Sequence, residues 1–326
     1  MEILLREGDN MLIDNRKVVL IGAGMVGMSY AYAMLNQGVC DELVLIDINK
    51  ERADGEAMDL NHGLAFSPVN MYIHAGEYRD CSDADLVVIC AGVAQKPGES
   101  RRDLLNRNAA VFRSIVEPVV QSGFDGIFLV ATNPVDVMTR LTCVLSGFNP
   151  RRVLGSGTAL DTARLRFLLG DLFEIDPRNV HAYVIGEHGD SEFVPWSQAF
   201  LATRPVSQLC CGERCVCSGD DLAHIEGEVR DAAQQIIRAK NATYYGIGMS
   251  LVRITKAILG NENSVLTVSA MLHGEYGEQD VYVGVPCVVN SNGIRRIHVL
   301  DLNEEELVKF HRSCDTLREC YDELQL

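Results

Sequence analysis

The chain has 326 residues, 47% hydrophobic and 23% charged, enough for one large unit or two closely packed domains with a sizeable core. Lys and Arg number 29 against 45 Asp and Glu, a formal charge of −16. So acidic a surface excludes a broad footprint for nucleic acid or an anionic membrane, and an anionic ligand must be caught by locally concentrated arginines.

Residues 1–16 read as an uninformative N-terminal arm, without the basic start, apolar core and small-residue cleavage site of a secretory signal. No run of about 18 uncharged apolar residues occurs, so no transmembrane helix is expected. Eleven cysteines, an odd number spread through apparent core segments, point to reduced thiols in a cytoplasm.

"KVVLIGAGMVGMSYAYAML" reads as a buried strand from Val18 to Ile21, a turn and a helix. The turn Gly22-Ala23-Gly24-Met25-Val26-Gly27 is a G-x-G-x-x-G. Gly22 permits the tight turn, Gly24 lets backbone approach a pyrophosphate, and Gly27 lets helix and strand pack closely. Free N–H groups at the helix start, around Met25 and Val26, would meet the anion. The motif is weak alone, but a second apolar strand, "ELVLIDI", reaches Asp47 twenty residues past Gly27. An acid there accepts from both ribose hydroxyls and repels a 2′-phosphate, which favours NAD over NADP.

"DLVVICAG" (85–92) and "GIFLVATNP" (126–134) are further strands, apolar throughout rather than alternating, as in a parallel sheet covered on both faces. The expectation is α/β: a doubly wound Rossmann domain over residues 17–156, then an α+β substrate domain over 157–326. Ligands of such sheets sit beyond the carboxyl ends of the strands, so Gly92 and Asn133 are expected to face the cofactor crevice.

In "GSGTALDTARLRFLLGDLF", Asp161 and Arg164 share a helical face. A surface ion pair worth about 0.3–0.5 kcal/mol is the bland reading of that pair. Arg166 lies roughly 200° around from Arg164. "NVHAYVIGEHGDSEFVPW" reads as a strand and then a turn bearing His188. With Asp161 as partner, His188 would be held in one tautomer and favoured as imidazolium, able to give a proton to a carbonyl oxygen or take it back. Cys210, Cys211, Cys215 and Cys217 crowd one segment, but without paired C-x₂-C knuckles they read as an exposed oxidisable loop and not as a metal site. Residues 221–241 and 303–322 read as amphipathic helices.

Together "GAGMVG", "DLVVICAGVAQKPGESR", "ATNPVD", "LDTARLR", "IGEHGDSE" and "NATYYGIG" resemble, in order and spacing, the NAD-dependent lactate/malate dehydrogenase family, from about Lys17 to Glu319. Within it the chain is most similar to the bacterial L-lactate dehydrogenases. The resemblance implies pyruvate and L-lactate as substrates, NAD as cofactor, a homotetramer and a place in fermentative glycolysis. It makes His188 the proton donor and acceptor, Asp161 its orienting partner, and Arg164 the bidentate fork for the substrate carboxylate. Asn133 contacts substrate near the nicotinamide, and Thr243 lies beside the substrate's side chain.

"QKPGESR" resembles the family's mobile lid, hinged near Pro97-Gly98. Arg101 polarises the carbonyl and stabilises the developing alkoxide on closure. Gln95 stands where malate enzymes typically carry Arg. A neutral side chain leaves a dicarboxylate's second charge unpartnered, so pyruvate is favoured over oxaloacetate. Recruitment of Lys96 would instead give a malate enzyme, and a non-catalytic protein of this fold would lack one of the four polar groups that are all present here. Arg166 and His181 match the bacterial enzymes' contacts to fructose 1,6-bisphosphate across a subunit interface, which implies allosteric activation.

Overall fold

The computed structural model describes residues 16–93, 101–210 and 217–324 and, for Arg101, the backbone alone. Gln95, Lys96, Pro97 and Gly98 lie outside the described residues, as do Cys211 and Cys215.

Strands β1 (Lys17–Ile21), β2 (Glu42–Ile46), β3 (Tyr72–Ala75), β4 (Leu86–Ile89), β5 (Ile127–Val130) and β6 (Val153–Gly155) form a parallel array in the order β3-β2-β1-β4-β5-β6. Val19 stands opposite Val44 of β2 and Val87 of β4. Every residue of β1, β4 and β5 is buried. Helices α1 (Met25–Gln37), α2 (Lys50–Gly63), α3 (Arg101–Gln121) and α4 (Val135–Ser146) alternate with these strands in the chain. Such crossovers cover both faces of a sheet, so the strands carry continuous apolar runs with no alternation.

β3 and β6 are elements that the sequence reading did not name. Both are short, and β3 is only partly buried, so its pattern is faint. The sheet also does not stop where the first expected domain ends. Helix α5 (Ala159–Leu172), the short strands β7 (Val180–His181), β8 (Phe200–Leu201) and β9 (Arg204–Pro205), and helices α6 (Val206–Leu209), α7 (Gly219–Lys240) and α8 (Tyr245–Leu259) intervene. Then β10 (Ser264–His273), β11 (Gln279–Asn290) and β12 (Gly293–Ile297) extend the sheet antiparallel from β6, joined by Ser269 opposite Gly155, to nine strands.

Helix α9 (Glu304–Asp322) follows. Capping boxes set the starts of α7, at Ser218 with Asp221, and of α9, at Asn303 with Glu306. A second, smaller core of Leu165, Leu169, Val180, Ala182, Val184 and Val229, among others, packs α5 and α7 against the small sheet β7-β8-β9. Among the described residues no helix is long and apolar enough to cross a membrane.

Candidate active site

The strand order reverses its direction of growth at β1 and β4, and a crevice of about 840 Å³ opens there. Gly22, Gly24, Asp47 and Gly92 line it. Three glycines of one turn are needed for three different reasons. Gly22 has φ +104°, and a Cβ there would stand 2.5 Å from the Ala91 amide nitrogen. A Cβ on Gly27 would stand 2.0 Å from the Gly22 carbonyl oxygen, so α1 could not pack against the turn. A Cβ on Gly24 would meet nothing within 4 Å; it would only take space from the crevice.

Met25 and Val26 open α1 behind this lip. Asp47 follows β2 directly, and its carboxylate accepts from the Ala23 N–H at 2.8 Å and the Asn49 N–H at 2.9 Å. A cradle left open at Gly24, with a carboxylate at its far end, fits a dinucleotide carrying free ribose hydroxyls.

The second constellation is built from side chains. Asp161 sits in the first turn of α5, 1% exposed, and divides its two oxygens between two cations. Arg164 Nη1 donates to Oδ1 at 2.8 Å, and His188 Nδ1 donates to Oδ2 at 2.6 Å. The bland surface pair is therefore not what the chain forms. Burial works against the charge on His188, but the adjacent Asp161 carboxylate outweighs it and pushes the imidazole up to about 9. Burial works against the Asp161 charge as well; His188 and then Arg164 outweigh it and hold the carboxyl below its usual range.

Local structure explains how His188 reaches Asp161. The Thr158 hydroxyl donates to the Val184 carbonyl at 2.6 Å, and the Val184 N–H donates to the Thr162 hydroxyl at 2.9 Å. These bonds pin the approaching segment to α5. It is not the longer strand expected from sequence: β7 ends at His181, and beyond it only Ile185 and Gly186 make isolated bridges, because Thr hydroxyls take the place of a ladder partner.

Asp136, in the first turn of α4, is a residue that the sequence reading missed. Its carboxylate accepts from the His188 N–H at 2.9 Å and from the Ser269 hydroxyl at 2.5 Å. Burial pushes its carboxyl up to about 6, although the Ser269 hydroxyl and the His188 N–H pull it back. The signal was present as the last residue of "ATNPVD", but nothing local distinguishes it from a helix-start acid. Ser313 of α9 accepts from the Glu187 N–H at 2.6 Å and holds the other flank of the turn. Glu192 was also missed: it is buried four residues past His188, with Oε2 3.9 Å from Nδ1.

The other expected site residues fall in several places. Asn133 is not among the residues lining the cofactor crevice; it lines a separate cavity of about 690 Å³ together with His188, Glu192 and Arg230. The turn between β5 and α4 carries it to the cavity that His188 lines. Thr243 lies between α7 and α8, outside the residues lining that cavity. Arg101 opens α3 with its side chain outside the described residues, and Gln95 is outside them altogether. Arg166 does face away from Asp161: its Nε donates to the Ala182 carbonyl at 3.2 Å and its guanidinium lies over the Tyr183 ring. His181, exposed at the end of β7, is one residue before Ala182.

Oxygen and nitrogen atoms of Asp161, His188 and Glu192 lie within 4.8 Å of one another, but the Arg164 guanidinium in the same cluster opposes a cation there. The expectation of thiols reduced throughout needs correction at one point. Cys210 and Cys217 are joined as a disulfide, their Cα atoms 4.6 Å apart where α6 ends and α7 is about to begin. Cys40, Cys81, Cys90, Cys143, Cys287 and Cys314 are free thiols.

Two family models account for nearly the whole chain. The lactate/malate dehydrogenase NAD binding domain matches residues 16–155, and the lactate/malate dehydrogenase alpha/beta C-terminal domain matches residues 158–325. The chain is 58% identical over 304 residues to an L-lactate dehydrogenase of Geobacillus stearothermophilus, covering 93% of this chain and 95% of that one. It is 56% identical over 303 residues to L-lactate dehydrogenase 2 of Bacillus cereus, covering 93% and 96%. The minor L-lactate dehydrogenase of Enterococcus mundtii in its ligands-bound form superposes with a TM-score of 0.94 at 49% identity, covering 96% of this chain and 99% of that one. These matches span both the crevice and the histidine cluster, and the chain belongs to the lactate/malate dehydrogenase family of NAD-dependent oxidoreductases.

Proposed function

We propose that the protein is an L-lactate dehydrogenase interconverting pyruvate and L-lactate, with His188, Asp161 and Arg164 at its chemical centre. The supporting observation is the buried Asp161 carboxylate, divided between an imidazole at 2.6 Å and a guanidinium at 2.8 Å. Bound NADH supplies the hydride. Gly22, Gly24, Gly27, Met25, Val26, Asp47 and Gly92 would hold it. Because Nδ1 is committed to Asp161, Nε2 of His188 is the nitrogen left to give a proton to the substrate's carbonyl oxygen. Arg164 keeps further N–H groups for the substrate carboxylate. Arg101 polarises the carbonyl, Asn133 orients the substrate, Thr243 flanks its methyl group, and a neutral Gln95 disfavours a second carboxylate.

NADH oxidation with pyruvate and, separately, with oxaloacetate tests this reading. A large preference for pyruvate is expected, and a preference for oxaloacetate sinks it.

We also propose activation by fructose 1,6-bisphosphate at Arg166 and His181 in a homotetramer. Arg166 reaches the strand segment that carries His181, which supports a shared anion site on the face turned from Asp161. Exposed Met25 and Tyr32 on α1 and Tyr245 and Met249 on α8 supply apolar surface for subunit contact. Equal activity with and without the bisphosphate, at subsaturating pyruvate and several pH values, sinks the activation. A monomer by light scattering sinks the assembly.

A further inference from the structure

Glu192 is buried on the same turn as His188, and one of its carboxyl oxygens lies within 4.8 Å of an Asp161 oxygen. Two carboxyl groups in contact away from water do not both ionise; the one with better cation cover keeps the charge. Asp161 has His188 at 2.6 Å and Arg164 at 2.8 Å, whereas the Glu192 carboxyl stands farther off, 3.9 Å from His188. We propose that Glu192 is a positioning residue of this cluster, a neutral carboxylic acid whose O–H donates to Asp161 and tempers its hold on the His188 proton. The proposal rests on the reading of His188 as the proton donor.

The surroundings agree. α5 presents Asp161 and Arg164, α4 presents Asp136, the turn itself presents His188, Glu187 and Asp190, and α9 brings the exposed Lys309 and Arg312 to the rim of the same cavity. α7 brings Arg230, which donates to the Glu192 backbone carbonyl at 3.3 Å and is paired with Glu226, so it does not neutralise the Glu192 carboxyl. Burial, and then the Asp161 charge, push Glu192 up to about 9.

The arrangement has two consequences. Asp161 accepts from three donors and is a weaker base toward His188. The cluster of His188, Arg164, Asp161 and Glu192 also keeps one net positive charge, which suits a monocarboxylate. An ionised Glu192 would cancel it.

Infrared difference spectra at pH 7 should show a protonated-carboxyl band that Glu192→Gln removes. In pH profiles of kcat/KM for pyruvate, the alkaline midpoint should hold its place in Glu192→Gln and move upward in Glu192→Leu, because only Leu withdraws the donor. The midpoint is insensitive to how much protein is active. Absence of the band overturns the proposal, as does a midpoint that falls in both variants, the sign of a lost negative charge. A midpoint unmoved in Leu while activity drops would mean mere packing and also overturns it. If Leu does not fold, the band and the Gln midpoint still decide. Loss of any alkaline limb in the parent enzyme, with the band present, would instead strike the His188 reading.

Discussion

The two functional regions are built on opposite principles. The lip of the dinucleotide crevice is a stretch of backbone: one turn, bounded by β1 and α1, in which the absence of side chains is the functional feature. The histidine cluster is a meeting of side chains from α4, α5 and one turn, and its property is a charge balance. The first should fail by sterics and the second by electrostatics, and substitutions can separate the two.

The largest effect is expected at His188. In His188→Asn, turnover should fall by about 10²–10⁴, the usual worth of a positioned acid–base group. NADH binding, followed by its fluorescence, should persist because the crevice is separate. Loss of both together would mean that the two regions are not independent.

Asp161→Asn should act next, on pH dependence. In the parent enzyme His188 is protonated below about 9, so pyruvate reduction should be supported there and lost as pH rises through that value, with lactate oxidation changing in the opposite sense. Without the carboxylate the midpoint should fall toward an ordinary histidine value of about 6.5. Stability follows the same sign. A raised imidazole pKa stabilises the fold fully below the unfolded value of about 6.5, and that contribution is lost as pH rises through about 9. Thermal melts across this range should show the loss in the parent and a flatter dependence in the variant.

A pair of alanine substitutions sharpens the crevice side. Gly27→Ala places a Cβ 2.0 Å from the Gly22 carbonyl and should cost about 1–3 kcal/mol of stability, read by denaturant unfolding. Gly24→Ala meets no protein atom within 4 Å and should leave unfolding nearly unchanged while weakening NADH binding. The reverse result would place the cofactor elsewhere. The smallest effect is expected for Asp136→Asn, which keeps one acceptor and loses the other. About 1 kcal/mol of stability should go, with a modest drop in turnover as the His188 turn loosens.

The crevice was legible because its parts are neighbours in the chain. The apolar runs marked β1, β2, β4 and β5, the glycine spacing marked the turn, and Asp47 closed a strand at a fixed distance. The amphipathic stretches 221–241 and 303–322 match α7 and α9 to within two residues, because helical periodicity is a local signal. Asp161, Arg164 and His188 could be named from motifs, but only the tertiary structure made their contact and burial explicit.

Asp136 and Glu192 were decided by tertiary structure alone. Asp136 matters because folding brings His188, 52 residues on, and Ser269, 133 residues on, to its two oxygens. Glu192 carries no local signal, and only folding buries it within the cluster of His188 and Asp161. The extension of the sheet by β10 to β12, and the placing of Asn133 and His188 on one cavity, belong to the same class. Periodicity and spacing act over one or two turns of chain, so they determine elements and local motifs. The partners of a buried charge are set by packing between distant segments, which no local pattern records.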